Sequence, residues 1–179
     1  GVITEFIVTS TVAKAQRNPR VASLSDSGFT VVWESDAQDG DKYGVFARRF
    51  DAGGVATGVD VQVNEYSVDE QVAPAIAALP DGGFAVAWQS NKQGGENMEI
   101  WARRYLASAT PVDSEFHVNG WTLKEQLTPT IGAAGDGRFV IAWGHESSEG
   151  EAWNVRARRF NENATALGTE FRVNTNRAD

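Results

Sequence analysis

The sequence predicts an all-β fold of three tandem four-stranded antiparallel repeats that pack as propeller-like blades. Three observations predict it. A repeat runs through the chain without a gap: Gln16, Gln71 and Gln126, Pro19, Pro74 and Pro129, and Trp33, Trp88 and Trp143 all recur at a spacing of 55. Each period holds four strand-like segments divided by turn residues, with no helical periodicity between them. The second strand of each period is apolar on both faces, bulky on one and small on the other, as suits a strand sandwiched between two sheets.

The first strand of each repeat follows the recurring proline, at Arg20–Leu24, Ala75–Leu79 and Thr130–Ala133. Asp26-Ser27-Gly28, Pro80-Asp81-Gly82-Gly83 and Gly135-Asp136-Gly137 then mark a tight turn, because Asp and Gly tolerate positive φ. In the second strand Phe29, Val31 and Trp33 point one way and Thr30 and Val32 the other. Phe84, Val86 and Trp88 oppose Ala85 and Ala87 in the next copy, and Phe139, Ile141 and Trp143 oppose Val140 and Ala142 in the third. Variable polar loops follow at 34–42, 89–97 and 144–152. The third strand covers Tyr43–Phe50, Met98–Tyr105 and Trp153–Phe160, each carrying Ala-Arg-Arg and an aromatic residue. The short fourth strand ends on Val-Asn, at Val61–Asn64, Glu115–Asn119 and Glu170–Asn174.

The chain, 1–179, therefore reads as a single repeat domain with units at about 10–64, 65–119 and 120–174. Glu5-Phe6-Ile7-Val8-Thr9 matches the closing segments, so residues 1–9 are an extra copy of the closing strand, the tail of a preceding repeat. A β-trefoil is the alternative, since it also has three four-stranded repeats; the surplus closing strand counts against it. Propellers close with about four to eight blades, so three do not make a ring. The expectation is a homo-oligomer, a dimer closing the ring, or a fragment of a longer chain.

Composition narrows the function. With 24 acidic and 16 basic residues the net charge is −8, which argues against a nucleic-acid partner. No apolar run has the length of a membrane span, so no membrane insertion is expected. The absence of cysteine excludes disulfides, thiolate nucleophiles and Cys–zinc sites. His117 and His145 are the only histidines.

The strings Pro-x-Val/Ile-Ala-x-Leu-x-Asp-Gly-Gly-Phe-x-Val-x-Trp-x-Ser, Ala-Arg-Arg-Phe-Asp and Glu-Phe-x-Val-Asn resemble the tandem repeat of large secreted bacterial adhesin-like and RTX-type calcium-binding surface proteins. The match is best over Pro74–Ser90 and Ala102–Tyr105. The resemblance implies a secreted, extracellular or cell-surface location and a role in surface interaction. The glycine-rich calcium nonapeptides of such proteins are absent from this sequence.

Candidate site residues follow from the side chains. Tyr43 and Trp153 occupy equivalent loop-to-strand positions, Tyr66 and Trp121 equivalent positions past the closing Val-Asn, and Trp101 sits where the first repeat has Phe46. Flat aromatic faces at loop edges suit the apolar face of a sugar ring, and ordinary rim packing is the competing reading. Asp36, Asp39 and Asp41 in the first variable loop offer hard oxygen ligands of the kind calcium takes, against the reading of a solvated acidic loop. The Arg-Arg pairs read as a structural set partnered by acids such as Asp60, Glu115 and Glu170. His145, beside Glu146, replaces Ser35 and Ser90 and is unique in its column. No phosphate loop, GxSxG or HExxH is present. The expectation is a non-enzymatic, multivalent carbohydrate-binding (lectin-like) module whose partners are glycans or cell-surface polymers. The alternatives are a structural or adhesive segment of a larger surface protein, and a propeller-fold glycosidase or lyase.

Overall fold

The computed structural model describes residues 5–147 and 153–175. Twelve strands form three separate sheets, each built from one repeat. The first holds β1 (Gln16–Ser23), β2 (Phe29–Asp36), β3 (Tyr43–Phe50) and β4 (Val61–Gln62). The second holds β5 (Gln71–Ala78), β6 (Phe84–Asn91), β7 (Met98–Tyr105) and β8 (Phe116–His117). The third holds β9 (Gln126–Ala133), β10 (Phe139–Glu146), β11 (Trp153–Phe160) and β12 (Phe171–Arg172). Strand order within each sheet is sequential and every pairing is antiparallel. The expected all-β, blade-like fold is the one observed. A trefoil would pair strands of different repeats in one barrel, and among the described residues no ladder crosses a repeat boundary.

Three element boundaries differ from the sequence expectation, the first being that the second strand runs on to Asp36, Asn91 and Glu146, three residues into the expected loops. The first strand begins at Gln16, Gln71 and Gln126, ahead of the proline rather than behind it. Each proline sits in a bulge where the register slips, next to a residue with positive φ: Asn18 (50°), Ala73 (52°) and Thr128 (52°). A bulge is where a strand tolerates a residue without an N–H. The closing strand is shorter than expected, because a side chain takes over the ladder. Val63 N donates to Val45 O at 2.8 Å, and Asn64 Oδ1 then accepts the Val45 N–H at 2.8 Å. Asn119 and Asn174 do the same for Ile100 and Val155.

The three sheets stack face to face, always in the same sense. The bulky face of β6 and β7, with Phe84, Val86, Trp88 and Tyr105, packs on Leu24, Val32, Val45, Ala47 and Val63 of the first blade. Likewise Phe139, Ile141, Trp143 and Phe160 of the third blade pack on Leu79, Ala85, Ala87, Ile100, Ala102 and Val118 of the second. Burying each large side chain contributes roughly 1.5–3 kcal/mol, an upper estimate, so these two seams carry much of the stability. Strands β2 and β6 are buried on both faces, whereas in β10 buried and more exposed residues alternate. Among the described residues no blade lies upon the small face of the third.

Polar links repeat with the same period. Arg103 Nη1 donates to Val63 O at 3.4 Å and Arg158 Nη1 to Val118 O at 3.0 Å, each tying a blade to the closing segment before it. Glu115 accepts the N–H groups of Glu65 and Tyr66, and Glu170 that of Gly120. Glu34 Oε1 accepts the Ala73 N–H at 2.7 Å, and Gln89 Oε1 accepts the Thr128 N–H at 2.7 Å, so the bulges of β5 and β9 are each satisfied by the preceding blade.

Candidate functional site

Most residues that repeat have an architectural task. Trp33 and Trp143 donate their indole N–H to Gln16 and Gln126 at 2.8 Å. Asp26, Asp81 and Asp136 accept the N–H two residues on and so hold the hairpin turns. The second Arg of the first two pairs, Arg49 and Arg104, bonds Asp26 and Asp81. Chemistry specific to this chain must therefore come from side chains that break the repeat. Four of these gather where the second blade meets the third. Glu99 stands where the other copies have Gly44 and Asn154, and His117 replaces Gln62 and Arg172. His145 replaces Ser35 and Ser90, and Arg156 replaces Phe46 and Trp101.

The link between β8 and β9 joins them. Asn119, fixed at the end of the second blade, donates from Nδ2 to Glu99 Oε2 and, at 2.8 Å, to Trp121 O. Glu99 is fully buried, and its other oxygen, Oε1, has no hydrogen-bond partner. His117 Nε2 lies 3.2 Å from Glu99 Oε2, and its ring stacks on Trp101 with centroids 4.9 Å apart and planes inclined by 12°. Beyond Asn119, Trp121 is half exposed (50%), lies 5.2 Å from the Arg156 guanidinium and meets His145 edge-on at 6.3 Å. Arg156 Nη1 pairs with Glu170 Oε1 at 2.9 Å, and Gly120 N donates to Glu170 Oε2 at 2.6 Å.

His145 is shifted towards its neutral form. Burial, with Arg156 adding repulsion, pushes its imidazole below the ordinary histidine value. The surroundings fit that state: Gln126 Oε1 takes the Trp143 N–H, leaving Gln126 Nε2 to donate to His145 Nδ1 at 2.9 Å. Beside this cluster lies a cavity of about 360 Å³ lined by Gly120, Trp121, Arg158, Thr169 and Glu170, of which Trp121 and Glu170 touch the cluster through Arg156. That volume lies within the roughly 300–1,000 Å³ of small-molecule sites. An aromatic face and a carboxylate thus share one opening, an arrangement able to stack on a ring and accept hydrogen bonds from its hydroxyls.

The five aromatic candidates do not form one platform. Trp101 and Trp121 belong to this site, joined through His117, Glu99 and Asn119. Tyr43 lies under the Arg17 guanidinium, 3.6 Å from its ring centre, in the first blade. Tyr66 is at the first blade junction, its hydroxyl 3.4 Å from Lys92 O. Trp153 is half exposed and pairs across the sheet with Glu146. The acidic candidates are dispersed as well. Asp39 accepts from Asn64 Nδ2 at 2.9 Å, and burial raises its pKa. Asp41 accepts the N–H groups of Lys42 and Asp69, and Asp36 continues β2. Among the described residues no three His, Asp or Glu side chains converge as a metal would require. Glu99 and Arg156 were not singled out by type or motif. Their signal is the outlier in an otherwise regular column.

No protein-family description and no curated protein matches the sequence. The fold does match solved structures. The chain superposes on an alpha-L-arabinofuranosidase from Lactobacillus brevis with a TM-score of 0.56 at 11% identity, over 89% of this chain and 55% of that one. It superposes on an endo-arabinase from Bacteroides thetaiotaomicron with a TM-score of 0.54 at 13% identity, over 92% of this chain and 66% of that one. The chain thus spans little more than half the length of the first structure and about two-thirds of the second. These likenesses establish the fold and correct one expectation. The chain was expected not to be an enzyme, because no catalytic motif stands out and its repeats resemble adhesive modules; two solved structures that share this fold are glycan-cleaving enzymes. The repeats therefore give no ground for ruling out catalysis. Among the described residues, no helix is long and apolar enough to cross a membrane.

Proposed function

We propose that this chain is the blade-bearing part of a glycoside hydrolase that acts on arabinose-containing glycans outside the cell, with the cavity between the second and third blades receiving a sugar residue. The observation that carries the reading is that Trp121 and Glu170 line one opening. The likeness in fold to an arabinofuranosidase and an endo-arabinase supports the substrate class. In this reading Trp121 stacks on the sugar. Glu170, oriented by Arg156 and the Gly120 N–H, is the carboxylate that touches it. Glycoside hydrolysis ordinarily uses two carboxyl groups; Glu99 is fully buried outside the cavity lining, so it positions Trp121 through Asn119 rather than touching the sugar. A polymeric glycan substrate fits the surface location implied by the resemblance to secreted repeats.

The test is to incubate the purified chain with arabinan, arabinoxylan and an aryl arabinofuranoside and to follow released reducing sugar or aryl alcohol. Hydrolysis of at least one is expected. Glu170→Gln should lower kcat by about 100-fold or more, Glu99→Gln should lower it less, and Trp121→Ala should mainly raise KM. Binding without hydrolysis, or hydrolysis that both Gln variants retain, would refute the proposal.

A further inference from the structure

The cavity beside Trp121 lies where one column of the repeat loses its side chain. The residue after the closing Val63-Asn64 is Glu65, and its counterpart after Val118-Asn119 is Gly120. A Cβ added to Gly120 would meet only the Glu170 carboxylate, at 3.7 Å. The space that a glutamate side chain takes at the first junction is therefore open at the second, beside Arg158 and Glu170.

The group that Glu65 serves is still present there. Arg103 donates from Nε to Asp113 O at 2.9 Å and from Nη1 to Val63 O at 3.4 Å, and its Nη2 is left for the Glu65 carboxylate. Arg158 repeats the first two bonds, to Gly168 O at 3.2 Å and to Val118 O at 3.0 Å. In the same column Arg48 has Asp60 at 3.7 Å. Glu170, the counterpart of Asp60, is engaged instead by Arg156 Nη1 and the Gly120 N–H. Among the described residues Arg158 is thus the one arginine of this column without a carboxylate partner. Charge follows the same pattern. Glu65, Trp101, Arg103 and Glu115 carry one net negative charge, whereas Gly120, Arg156, Arg158 and Glu170, in the same columns, carry one net positive charge. This local excess runs against a chain whose net charge is −8.

We infer that the glycan received in this cavity is acidic: a carboxylate of the saccharide, as in a hexuronate, takes the place on Arg158 Nη2 that the Glu65 carboxylate takes on Arg103. The inference rests on the reading of this cavity as a sugar site and adds the charge of the sugar. A guanidinium bond to a carboxylate is charge-assisted and about twice as strong as a neutral one. The first junction shows that two carboxylates fit side by side, Glu65 on Arg103 and Glu115 on the N–H groups of Glu65 and Tyr66. At the second junction Glu170 has its own cation in Arg156, so an incoming carboxylate does not face an unpaired one.

Titration calorimetry of the full chain tests this by binding, apart from any hydrolysis. The probes are an arabinoxylan oligosaccharide bearing a glucuronate branch and the same oligosaccharide with that carboxyl reduced to an alcohol. The acidic form is expected to bind about tenfold tighter or more, with the advantage shrinking as salt is raised. Acetate and inorganic phosphate, anions without a sugar ring, should bind more weakly than the acidic oligosaccharide by about tenfold or more. Gly120→Glu returns to Arg158 the carboxylate that Arg103 has, on a backbone outside the left-handed region, and should erase the preference with circular dichroism unchanged. Arg158→Gln should level the two forms as well; should it unfold, Gly120→Glu carries the reading alone. Equal affinity for the two oligosaccharides, no binding of either, a preference that survives Gly120→Glu, or acetate or phosphate binding as tightly as the acidic form would overturn the inference. Acid-selective binding without hydrolysis would sustain it and remove the hydrolase reading, and hydrolysis without acid preference would do the reverse.

Discussion

Asp69 shows how a single side chain couples blades in this protein. It accepts from Lys42 and, at 2.9 Å, from Lys92, so a loop of the first blade and a loop of the second share one carboxylate. Hydrogen bonds from the two lysines pull its pKa down to about 2. A carboxyl whose folded pKa lies below its unfolded value of about 3.9 stabilises the fold fully above that value and loses the contribution as pH falls towards 2. Asp69→Asn should therefore lower the urea midpoint at pH 6, and the gap to the parent protein should narrow at pH 3.5 and nearly vanish at pH 2. A gap that stays constant with pH would mean that charge is not what Asp69 contributes. Asp39 and Glu115 act in the opposite sense, because burial raises both. Their protonation as pH falls relieves a desolvation cost, which is why the prediction rests on the difference between parent and variant.

At the scale of the element, the blade junction is a set of interchangeable parts. Glu34 is 1% exposed and satisfies three donors: Arg17 Nε at 2.6 Å, Asn18 Nδ2 at 2.9 Å and the Ala73 N–H at 2.7 Å. Gln89 does the last of these tasks one blade later through its amide oxygen. Glu34→Gln, which keeps the acceptor for Ala73 but loses the one for Arg17 Nε, should cost about 1–2 kcal/mol, while Glu34→Ala, which also strands a backbone N–H at the bulge, should cost about 2–3 kcal/mol by chemical denaturation. Equal losses in the two variants would show that the charge matters more than the acceptor. These junctions also mark the limit of what the sequence shows. Strand number, strand order and the bulky-to-small stacking are legible because period-two alternation and the 55-residue repeat record them directly. The bulge at each proline is not, because a positive φ at the non-glycine residue before a proline runs against local preferences; in β5 and β9 the preceding blade satisfies the freed N–H. The candidate site was legible in part. Trp101 and Trp121 are visible as edge aromatics, but Glu99, His117 and Arg156 become a group only once Asn119 and the link after it bring three strands together.

For the whole molecule, the decisive property is that every junction points the same way. Large side chains always face backward and small ones forward, with Arg103 and Arg158 reaching back to the closing segment behind them. Repeat proteins of this kind draw stability from each unit and from each neighbour contact. The third blade contributes its own sheet but has only one such contact within the chain. Its small face should therefore exchange amide hydrogens faster than the equivalent strand β6, which is buried throughout, and mass spectrometry of exchanged fragments would show it. Equal protection of β6 and β10 in the isolated chain would mean that the end blade needs no neighbour.

The direction of stacking also bears on how such a chain could be inherited. Because any front fits any back, unequal recombination between two copies of the coding repeat would add or remove a whole number of blades and leave each remaining seam intact. An in-frame duplication of residues 65–119 should thus fold as four blades, with a thermal transition no lower than that of the parent. The same duplication shifted by half a repeat would break a sheet in two and should not fold. Growth by copying is open to this architecture only in steps of one full repeat.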